Sequence, residues 1–491
     1  MMRLLQSAIL VLPLLALAAC TVNPATGQQS FTAFMSPEDE IRVGAREHPK
    51  IIKEFGGAYG DAALNDYVRR IGQSLSRMSE LPDLTFTFTV LNDPKVNAFA
   101  LPGGYVYITR GLLALADNEA EMAGVLAHEI GHITARHTAQ RYSQAMAANI
   151  GLTILGVLGQ AAGAPVGTGD LIAFGAQAAL QSYSREQELE ADMLGVRYMT
   201  RAGYSPQGMV SFFDKLDAHT RLEAAIAGNP AAADRFSIMS THPRTADRIE
   251  QAIQLARVSA APNPRFERDT YLWRIDGMAF GDDPKQGIRR GREFVHPELG
   301  FRFVVPPGFS LFNSPKQVVA RGPERSLVIF DMEAEAKARN AGALTTYLAN
   351  DWGGRLSLRN VERITINGLD AATGQARIQT RNGSMDVRLI AIRERAERLY
   401  RMIFVTPPSL TGPLATELQR TTYSFRRLTR EEAAAIRPLR IKIVTVKQGD
   451  TPQSLAGRMP FETYRLEWFE VLNDLKRGQP LVPGVKVKSV E

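Results

Sequence analysis

The sequence predicts an α+β protein of several domains, mainly helical in its first half and strand-rich in its second half. Its length of 491 residues exceeds one ordinary domain and corresponds to about two to four domains. Apolar residues recur at helical spacing in several stretches of residues 37–203, whereas strand-type runs dominate from Phe294 onward. Residues 440–491 carry a third pattern, so we expect a separate small module there.

The composition is that of a globular protein. Hydrophobic residues make up 45% and charged residues 22% of the chain, which supplies enough apolar side chains for a sizeable core. The formal net charge of +7 is spread along the sequence without a long basic run. The charge pattern therefore does not indicate nucleic-acid binding, and we expect no nucleic-acid partner.

Residues 1–19 have the pattern of a signal peptide. Arg3 is their only charge, and the apolar run from Leu4 to Ala19 is too short for a typical membrane span. Cys20 follows this run directly and is the only cysteine of the chain, so it has no partner for an internal disulfide.

The residues Leu-Ala-Ala-Cys that end at Cys20 resemble a bacterial lipoprotein lipobox. The resemblance implies cleavage before Cys20 and lipidation of this residue, which would hold the protein to a membrane without a transmembrane helix. Thr21, in place of an aspartate, favours the outer membrane among the sorting signals of diderm bacteria. The alternative is an ordinary secretory signal with an incidental cysteine.

His128, Glu129 and His132 form an H-E-x-x-H motif. Positions i and i+4 of a helix differ by about 40° around its axis, so both imidazoles face the same way. Two neutral imidazoles on one face can bind a zinc ion, and the neighbouring carboxylate can take a proton from water. The alternative is a core helix that carries two of the chain's seven histidines by chance.

The helix that carries this motif has a well-defined predicted start. Asn118 is a candidate N-cap, Glu121 follows three residues later, and apolar residues recur at helical spacing as far as Ile133. His137 lies five residues after His132, and on a continuous helix it would point away from the metal. We expect His137 at the helix end or behind a ligand, and the third ligand elsewhere.

A second predicted helix supplies candidate partners for the motif. Ser184 to Gln187 fit a capping box that starts this helix, and Gly203 ends it. Glu188 and Asp192 are four residues apart on one face. Glu188 can be a third, oxygen ligand, and Asp192 can accept the free N–H of a ligating histidine. The alternative is a solvated acidic face.

Other stretches of the first half surround these helices. Residues 23–27 predict a flexible tether, and residues 84–90 and 105–108 predict strands. We expect the second strand at the edge of the cleft, where an extended peptide could pair with it, with an interior position as the alternative. Residues 146–179 predict a loop or helical hairpin that covers the cleft, with membrane contact as an alternative.

Three motifs together resemble the BepA/HtpX/CAAX-prenyl-protease family of zinc metallopeptidases. They are H-E-x-x-H, the run Glu188-Leu-Glu-Ala-Asp192, and the run Ser-Thr-His242-Pro. Residues 97–104 and 110–113 also match, so the resemblance covers roughly residues 24–257. It implies a mainly helical, zincin-type peptidase domain with a small sheet, which we expect over residues 20–258.

The resemblance also implies roles for individual residues. One zinc ion per chain would be bound by three ligands: His128, His132 and Glu188. Glu129 would be the general base. His242 would reach the metal or the transition state, and in BepA-like members this histidine can occupy the open metal position and hold the enzyme inactive. Arg248 would be an oxyanion partner.

The second half of the chain predicts a different architecture. Residues 259–293 predict a Pro-rich linker, and residues 294–430 an α+β domain rich in strands. Asn367-Gly368 and Asn382-Gly383 predict hairpin turns between such strands. The domain shows no catalytic constellation, so we expect a binding or chaperone-like role for it.

Residues 440–491 resemble a LysM module through Gly449-Asp450-Thr451 and Leu472-Asn473. The resemblance implies a βααβ fold that binds glycans containing N-acetylglucosamine, so peptidoglycan is the implied ligand. Two residues depart from the pattern: Pro452 follows Thr451 where an apolar residue is usual, and Pro460, after Met459, interrupts the first helix.

Together these patterns predict a lipid-anchored zinc endopeptidase on the periplasmic side of a bacterial envelope. Its expected substrates are unfolded or misassembled envelope proteins. Two alternatives stay open: a peptidoglycan hydrolase delivered by the LysM-like module, and a chaperone-like binding protein whose protease site is held shut.

Overall fold

The computed structural model describes residues 20–27, 29–32, 35–144, 182–227, 242, 248, 251, 254, 263–380 and 383–491. The chain divides into two compact units, each with its own sheets. One unit comprises residues up to Phe280 together with Arg440–Glu491, and the other comprises Gly281–Leu439. The predicted signal peptide, the predicted cover over residues 146–179 and the neighbours of His242 lie outside the described residues.

The elements of the first unit begin in the N-terminal half. They are β1 (Cys20–Val22), β2 (Gln29–Phe31), α1 (Pro37–Glu54), α2 (Ala62–Ser76), β3 (Thr87–Leu91), β4 (Ala98–Leu101), β5 (Tyr105–Thr109), α3 (Arg110–Leu115), α4 (Glu119–Thr134), α5 (Arg185–Arg201), α6 (Gln207–Ala227), α7 (Arg268–Ile275) and β6 (Ala279–Phe280). None of the helices in the described part of the chain has the length and apolar composition of a membrane span.

The stretch expected to be a flexible tether is instead the turn of a hairpin. Strands β1 and β2 pair antiparallel, and the side chain of Asn23 accepts a hydrogen bond from the backbone N–H of Ala25, at 2.9 Å. Asn23 is only 3% exposed, and its amide donates to Glu190 on α5. The tether prediction was wrong because the partner that orders this turn lies 167 residues away in the sequence.

A three-stranded sheet has the order β3-β5-β4. Strand β5 pairs parallel with β3 and antiparallel with β4, so it is the central strand. The preferred prediction, that this strand lies at an edge, was therefore wrong, and the interior alternative holds. An alternating or apolar run shows that a strand is buried, but not which strands flank it.

Helix α4 lies at the centre of the first unit. All its residues, from Glu119 to Thr134, are buried. Asn118 is the N-cap, as expected, and its side chain accepts from the N–H of Glu121. The carboxylate of Glu121 accepts from the backbone N–H of Asp117, at 2.8 Å. Side chains therefore satisfy backbone N–H groups at the start of the helix.

Helix α5 also begins and ends where the sequence predicts. Ser184 and Gln187 form the capping box, and Gly203 beyond the last turn has a φ of 81°, in the left-handed region that glycine tolerates. Helix α6 then packs against α4, with Gly208 close to Ala120. Helix α6 thus contacts both helices that carry the motif residues, α4 and α5.

The second unit consists of two antiparallel sheets and short helices. Its elements are β7 (Ile288–Arg290), β8 (Glu293–His296), β9 (Phe301–Val304), β10 (Ser310–Asn313), β11 (Gln317–Arg321), a 3₁₀ turn (Pro323–Arg325), β12 (Leu327–Met332), α8 (Glu335–Asn340), α9 (Leu344–Thr346), a π-helix (Tyr347–Trp352), β13 (Arg359–Ile366), β14 (Leu369–Thr380), β15 (Gly383–Arg395), β16 (Arg398–Thr406), α10 (Pro408–Ser424), β17 (Arg426–Arg427) and α11 (Arg430–Ala435).

The larger sheet has seven strands in the order β10-β11-β12-β16-β15-β14-β13, and the smaller has the order β17-β9-β8-β7. The two sheets share an aromatic core. In this core the ring centroids of Phe301 and Phe303 lie 5.1 and 4.8 Å from the ring centroid of Phe330. The predicted turn at Asn367 and Gly368 is present, with φ of 48° and 80° at these residues. The other predicted turn lies partly outside the described residues.

The chain then returns to the first unit. It forms β18 (Leu439–Thr445), α12 (Pro452–Ala456), α13 (Arg465–Leu472) and β19 (Lys486–Val490), a β-α-α-β order in which β18 and β19 pair antiparallel. Strand β18 also pairs with β6. Pro452 is compatible with α12 because it occupies the first turn, where its missing N–H would have no helical partner, and Thr451 caps the helix.

Candidate metal centre and its surroundings

The two motif histidines converge. His128 and His132 lie one turn apart on α4, and their Nε2 atoms are 3.0 Å apart. Both side chains are buried. The shared direction predicted from the i, i+4 spacing therefore brings two nitrogen ligands to one point.

Close packing of α4 and α5 brings a carboxylate to the same point. A Cβ atom on Gly131 would lie 3.1 Å from the backbone oxygen of Ala191, and a Cβ atom on Gly195 would lie 3.2 Å from the backbone nitrogen of His128. Because neither glycine has a side chain, the two backbones approach closely. Glu188, in the first turn of α5, thereby reaches the histidines.

Glu188 and His242 complete the cluster. Glu188 Oε1 is 3.4 Å from His132 Nε2 and Oε2 is 3.7 Å from His128 Nε2. His242 Nδ1 lies 2.9 Å from Glu188 Oε1 and 3.2 Å from His128 Nε2. One ligand atom from each of the four residues lies within 4.8 Å of every other, and all four residues are buried.

These separations fit a small cation with four ligands. A tetrahedral zinc site with bonds of about 2.0–2.1 Å places its ligand atoms about 3.4 Å apart. The five separations above, from 2.9 to 3.7 Å, bracket that value. The donor set of imidazole nitrogen and carboxylate oxygen is also one that zinc prefers. The residues present therefore fit a divalent metal ion.

Charge within the cluster agrees with this assignment. Burial lowers the pKa of His132 well below its ordinary value, which keeps the ring neutral and able to bind a metal. Burial would raise the pKa of Glu188, but the neighbouring imidazoles of His242, His132 and His128 hold this pKa well below its ordinary value. A neutral nitrogen ligand and an ionised oxygen ligand result.

Glu129 is buried next to the cluster without a hydrogen bond. Its side chain is 0% exposed, and neither carboxylate oxygen has a hydrogen-bond partner among the described residues. The Nε2 atom of His242 is 3.4 Å from Glu129 Oε1. A buried carboxylate without a partner is costly, so its presence here indicates a functional group rather than a structural one.

Asp192 and Arg248 support His128 from behind. Asp192 Oδ1 is 2.9 Å from His128 Nδ1, the nitrogen that faces away from the cluster. Burial would lower the pKa of His128, but this hydrogen bond and the charge of Asp192 raise it above its ordinary value. Arg248 donates to both oxygens of Asp192, at 2.7 and 2.8 Å, and its Nη1 is 2.5 Å from Glu188 Oε2. In this arrangement Arg248 orients two carboxylates, and the oxyanion role expected for it stays a prediction.

His137 supports His132 in a way that helical geometry did not predict. Helix α4 ends at Thr134, and Arg136 has a φ of 58°, so the chain turns back. His137 Nδ1 consequently lies 3.0 Å from His132 Nδ1, while its Nε2 lies 3.1 Å from Glu190. The expectation that His137 lies behind a ligand holds, but the angle calculated for a continuous helix does not apply.

Tyr183 was missed in the sequence because no motif marks it. Its ring is stacked on the ring of His132, with centroids 3.7 Å apart. The guanidinium carbon of Arg141 lies 3.8 Å from the centroid of the Tyr183 ring, and Arg141 donates a hydrogen bond to the Tyr183 hydroxyl. The stack limits rotation of the His132 ring.

An apolar pocket opens beside Glu129 and His242. Its apolar walls come from α4 and α6: Val125, Met209, Phe212, Phe213 and Leu216. A pocket of this kind can receive an apolar side chain next to the buried carboxylate.

Comparison with known proteins agrees with this geometry. Residues 62–256 match the family model described as Peptidase family M48. A beta-barrel assembly-enhancing protease of Yersinia pestis is 32% identical over 234 residues, which cover 45% of this chain and 46% of that protein. A mitochondrial metalloendopeptidase OMA1 of Schizosaccharomyces pombe is 32% identical over 209 residues, which cover 40% of this chain and 57% of that protein. The chain thus spans about half the length of these curated relatives.

Solved structures add little. A crystal structure from Bacteroides thetaiotaomicron has a TM-score of 0.23 and 13% identity to this chain, and the match covers 33% of this chain and 55% of that one. This likeness is too weak to support a structural argument.

Proposed function

Because residues 62–256 match the model of Peptidase family M48, we propose that the protein is a zinc-dependent endopeptidase that cleaves unfolded or misassembled proteins of a bacterial envelope. The observation that carries the proposal is the buried cluster of His128, His132 and Glu188 with the carboxylate of Glu129 beside it, which accepts no hydrogen bond from the described residues. The names of the relatives, which include beta-barrel assembly-enhancing proteases, support the choice of substrate class.

Three side chains would hold the zinc ion: His128, His132 and Glu188. A bound zinc ion supplies Lewis acidity toward a peptide carbonyl and toward water. Glu129 acts as the general base that takes the proton of the attacking water and returns it to the leaving amine. Neither oxygen of Glu129 is hydrogen-bonded to another described residue, so both are available for this transfer. Asp192 fixes the His128 ring through the 2.9 Å contact to Nδ1.

His242 acts as the fourth ligand and closes the site. Its Nδ1 is 2.9 Å from Glu188 Oε1, so the ring stands at the fourth corner of the cluster. A zinc site with four protein ligands has no position for a catalytic water. Turnover therefore requires His242 to move out, and the protein is in a resting state in this arrangement.

The apolar pocket supports unfolded proteins as substrates. Phe213, Met209 and Leu216 offer an apolar surface next to Glu129. Folded proteins keep large apolar side chains in their cores, whereas unfolded chains expose them. A protease that anchors an apolar side chain next to its general base therefore selects unfolded segments.

The location of the protein and its ligands outside the peptidase domain are part of the proposal. Lipidation of Cys20, which begins β1, would hold the chain on the periplasmic side of the outer membrane. Residues 440–491 would be a LysM-like module that contacts peptidoglycan; their β-α-α-β order supports this assignment. Residues 294–430 would be a separate α+β domain without a catalytic role.

Replacement of Glu129 tests the activity. Glu129→Gln should keep zinc and lose at least about 100-fold in cleavage of an unfolded protein such as casein, because the general base is removed while the ligands remain. Glu186→Gln is the matched control, since Glu186 is exposed in the first turn of α5. Cleavage by Glu129→Gln at the wild-type rate would exclude this mechanism.

A further inference from the structure

We propose that the N-terminal hairpin, residues 20–31, is a working part of the metal centre: Asn23, acting through Glu190 and His137, holds the ring of His132 in the orientation that metal binding needs. This inference rests on the proposed zinc site. It assigns Asn23, Glu190 and His137 as positioning residues, and it makes metal affinity depend on the docking of the hairpin.

The contacts form an unbroken chain. The side-chain amide of Asn23 donates to Glu190 Oε1 at 2.8 Å, and Glu190 Oε2 lies 3.1 Å from His137 Nε2. His137 Nδ1 lies 3.0 Å from His132 Nδ1. The other nitrogen of His132, Nε2, faces the cluster. Three contacts, through the side chains of Glu190 and His137, thus connect Asn23 of the hairpin to the proposed ligand His132.

The direction of the hydrogen bonds along this chain is fixed by chemistry. An ionised carboxylate only accepts, so His137 Nε2 must donate to Glu190. In a neutral imidazole the second nitrogen is then an acceptor, so His137 Nδ1 accepts from His132 Nδ1. His132 Nε2 is left without a proton, as a metal ligand must be.

The hairpin turn fixes the position of Glu190. The side-chain amide of Asn23 donates to Glu190 Oε1, and the side-chain oxygen of Asn23 accepts from the backbone N–H of Ala25 at 2.9 Å. The other carboxylate oxygen, Oε2, contacts His137. The turn therefore holds one oxygen of Glu190 while the other oxygen holds His137.

A second contact fixes the same region from the N-terminal side. Arg136, at the left-handed position that turns the chain back, donates to the buried Glu40 at 2.7 Å and to the backbone oxygen of Met35 at 2.7 Å. Arg136 and His137 are neighbours, so residues 35–40 hold the turn while Asn23 holds the far end of the relay. Both contacts involve the chain N-terminal to α2.

The two motif histidines are therefore supported differently. His128 relies on Asp192, which lies on α5 like the ligand Glu188. His132 relies on a relay that ends in the hairpin, three residues after Cys20. At about 3.3 Å per residue, Asn23 is within roughly 10 Å of chain from Cys20. Displacement of the hairpin would release the support of His132 alone.

Zinc affinity of the full chain, measured by competition with a chelator, tests the relay. Glu190→Ala should weaken zinc binding by about 10–100-fold, the usual effect of losing a partner behind a metal-bound histidine. Asn23→Asp keeps the oxygen that accepts from Ala25 but loses the donor and faces Glu190 with a like charge. It should weaken zinc binding by a smaller factor. Glu186→Ala, on the exposed side of the same helix, should leave zinc affinity unchanged.

The double variant distinguishes a relay from general loosening. If Asn23 acts through Glu190, Asn23→Asp should have no further effect on zinc affinity in the Glu190→Ala background. The melting temperature of each metal-free variant shows whether the hairpin stays folded. Equal effects of Asn23→Asp in both backgrounds, or wild-type zinc affinity of Glu190→Ala, would overturn the inference. A wild-type protein that binds no zinc would instead refute the proposed function on which it rests.

Discussion

At the level of one residue, the proposed mechanism gives His242 control over whether the site is open. Its two ring nitrogens lie next to different carboxylates, with Nδ1 2.9 Å from Glu188 and Nε2 3.4 Å from Glu129. The ring therefore stands between the proposed ligands and the proposed general base. In the proposed mechanism a substrate carbonyl needs this space, so turnover would require His242 to leave it.

Truncation of this histidine tests the resting-state proposal. His242→Ala should retain zinc, because three ligands remain, and its rate of casein cleavage should exceed that of the wild type. A fall in rate with zinc retained would show that His242 contributes more to the transition state than to inhibition. His219→Ala is a suitable control, since this largely buried histidine contacts Trp468 and lies outside the cluster.

The residues of the site divide by how local their signal is. His128, Glu129 and His132 follow from spacing on one helix. Spacing on another helix made Glu188 and Asp192 candidates only, and the family resemblance implied the ligand role of Glu188. The contacts of Asn23 and Tyr183 could not be predicted, because each depends on a partner brought close only by the fold. A residue that acts through one distant contact, and not through a spacing motif, cannot be recognised from the sequence.

Two helices determine the width of the site. Gly131 allows α4 to approach α5, since a Cβ atom there would lie 3.1 Å from the backbone oxygen of Ala191. This oxygen belongs to a helix and cannot move independently of it. The separation of the two helices therefore depends on glycine at position 131. The distance from Glu188 to both histidines depends on it as well.

A pair of glycine replacements tests this packing. Gly131→Ala should be destabilising, because overpacking costs about 1–3 kcal/mol and the gain in helix propensity is at most about 1 kcal/mol. Gly342→Ala, at an exposed position just before α9 with no atom within 4 Å of the added Cβ, should stabilise by up to about 1 kcal/mol. Free energies of unfolding in denaturant give both values. Equal gains in stability for the two variants would contradict the tight packing.

Local signals predicted the ends of these helices but not the order of the strands. Asn118, Ser184 and Gly203 act within one turn of chain, so the sequence contains what is needed to predict them. Strand β5 is central because it pairs with β3 as well as with β4, and β3 is separated from β5 in the sequence by β4 and its loops. Strand order is a property of the fold rather than of the strand.

One buried lysine joins the end of the chain to the start of the motif helix. Lys488 Nζ donates to the backbone oxygens of Ala114, Leu115 and Ala116, at 2.7 to 2.9 Å, and lies 2.8 Å from Asp117. Burial lowers the pKa of Lys488 to about 8, so the ammonium group is still protonated at pH 7. Residues 440–491 are thereby part of the same folded unit as the metal centre.

Removal of this ammonium group should destabilise the whole first unit. Lys488→Met should cost about 3–5 kcal/mol, since it breaks a buried ion pair and leaves backbone oxygens of α3 without their donor. Lys486→Met is the matched control on the same strand: its pair with Asp269 is exposed, so the loss should stay below about 1 kcal/mol. Similar losses for both variants, measured by denaturant unfolding, would contradict this role of Lys488.

This connection shows the limit of composition as a guide to the whole molecule. The pattern of residues 440–491 indicated a module of its own, and the β-α-α-β order is present. The partners of Lys488, however, lie 372 to 374 residues earlier in the chain. Contacts over such distances leave no periodicity, so the sequence does not reveal that the last strand contacts the segment just before the motif helix.

The zinc content of the purified protein tests the central claim most directly. After dialysis against a weak chelator, elemental analysis should give about one zinc ion per chain for the wild type and for Glu129→Gln. His132→Ala should lose most of this zinc, whereas His219→Ala should keep it. Absence of zinc from the wild type, or full retention by His132→Ala, would contradict the assignment of His128, His132 and Glu188 as the metal centre.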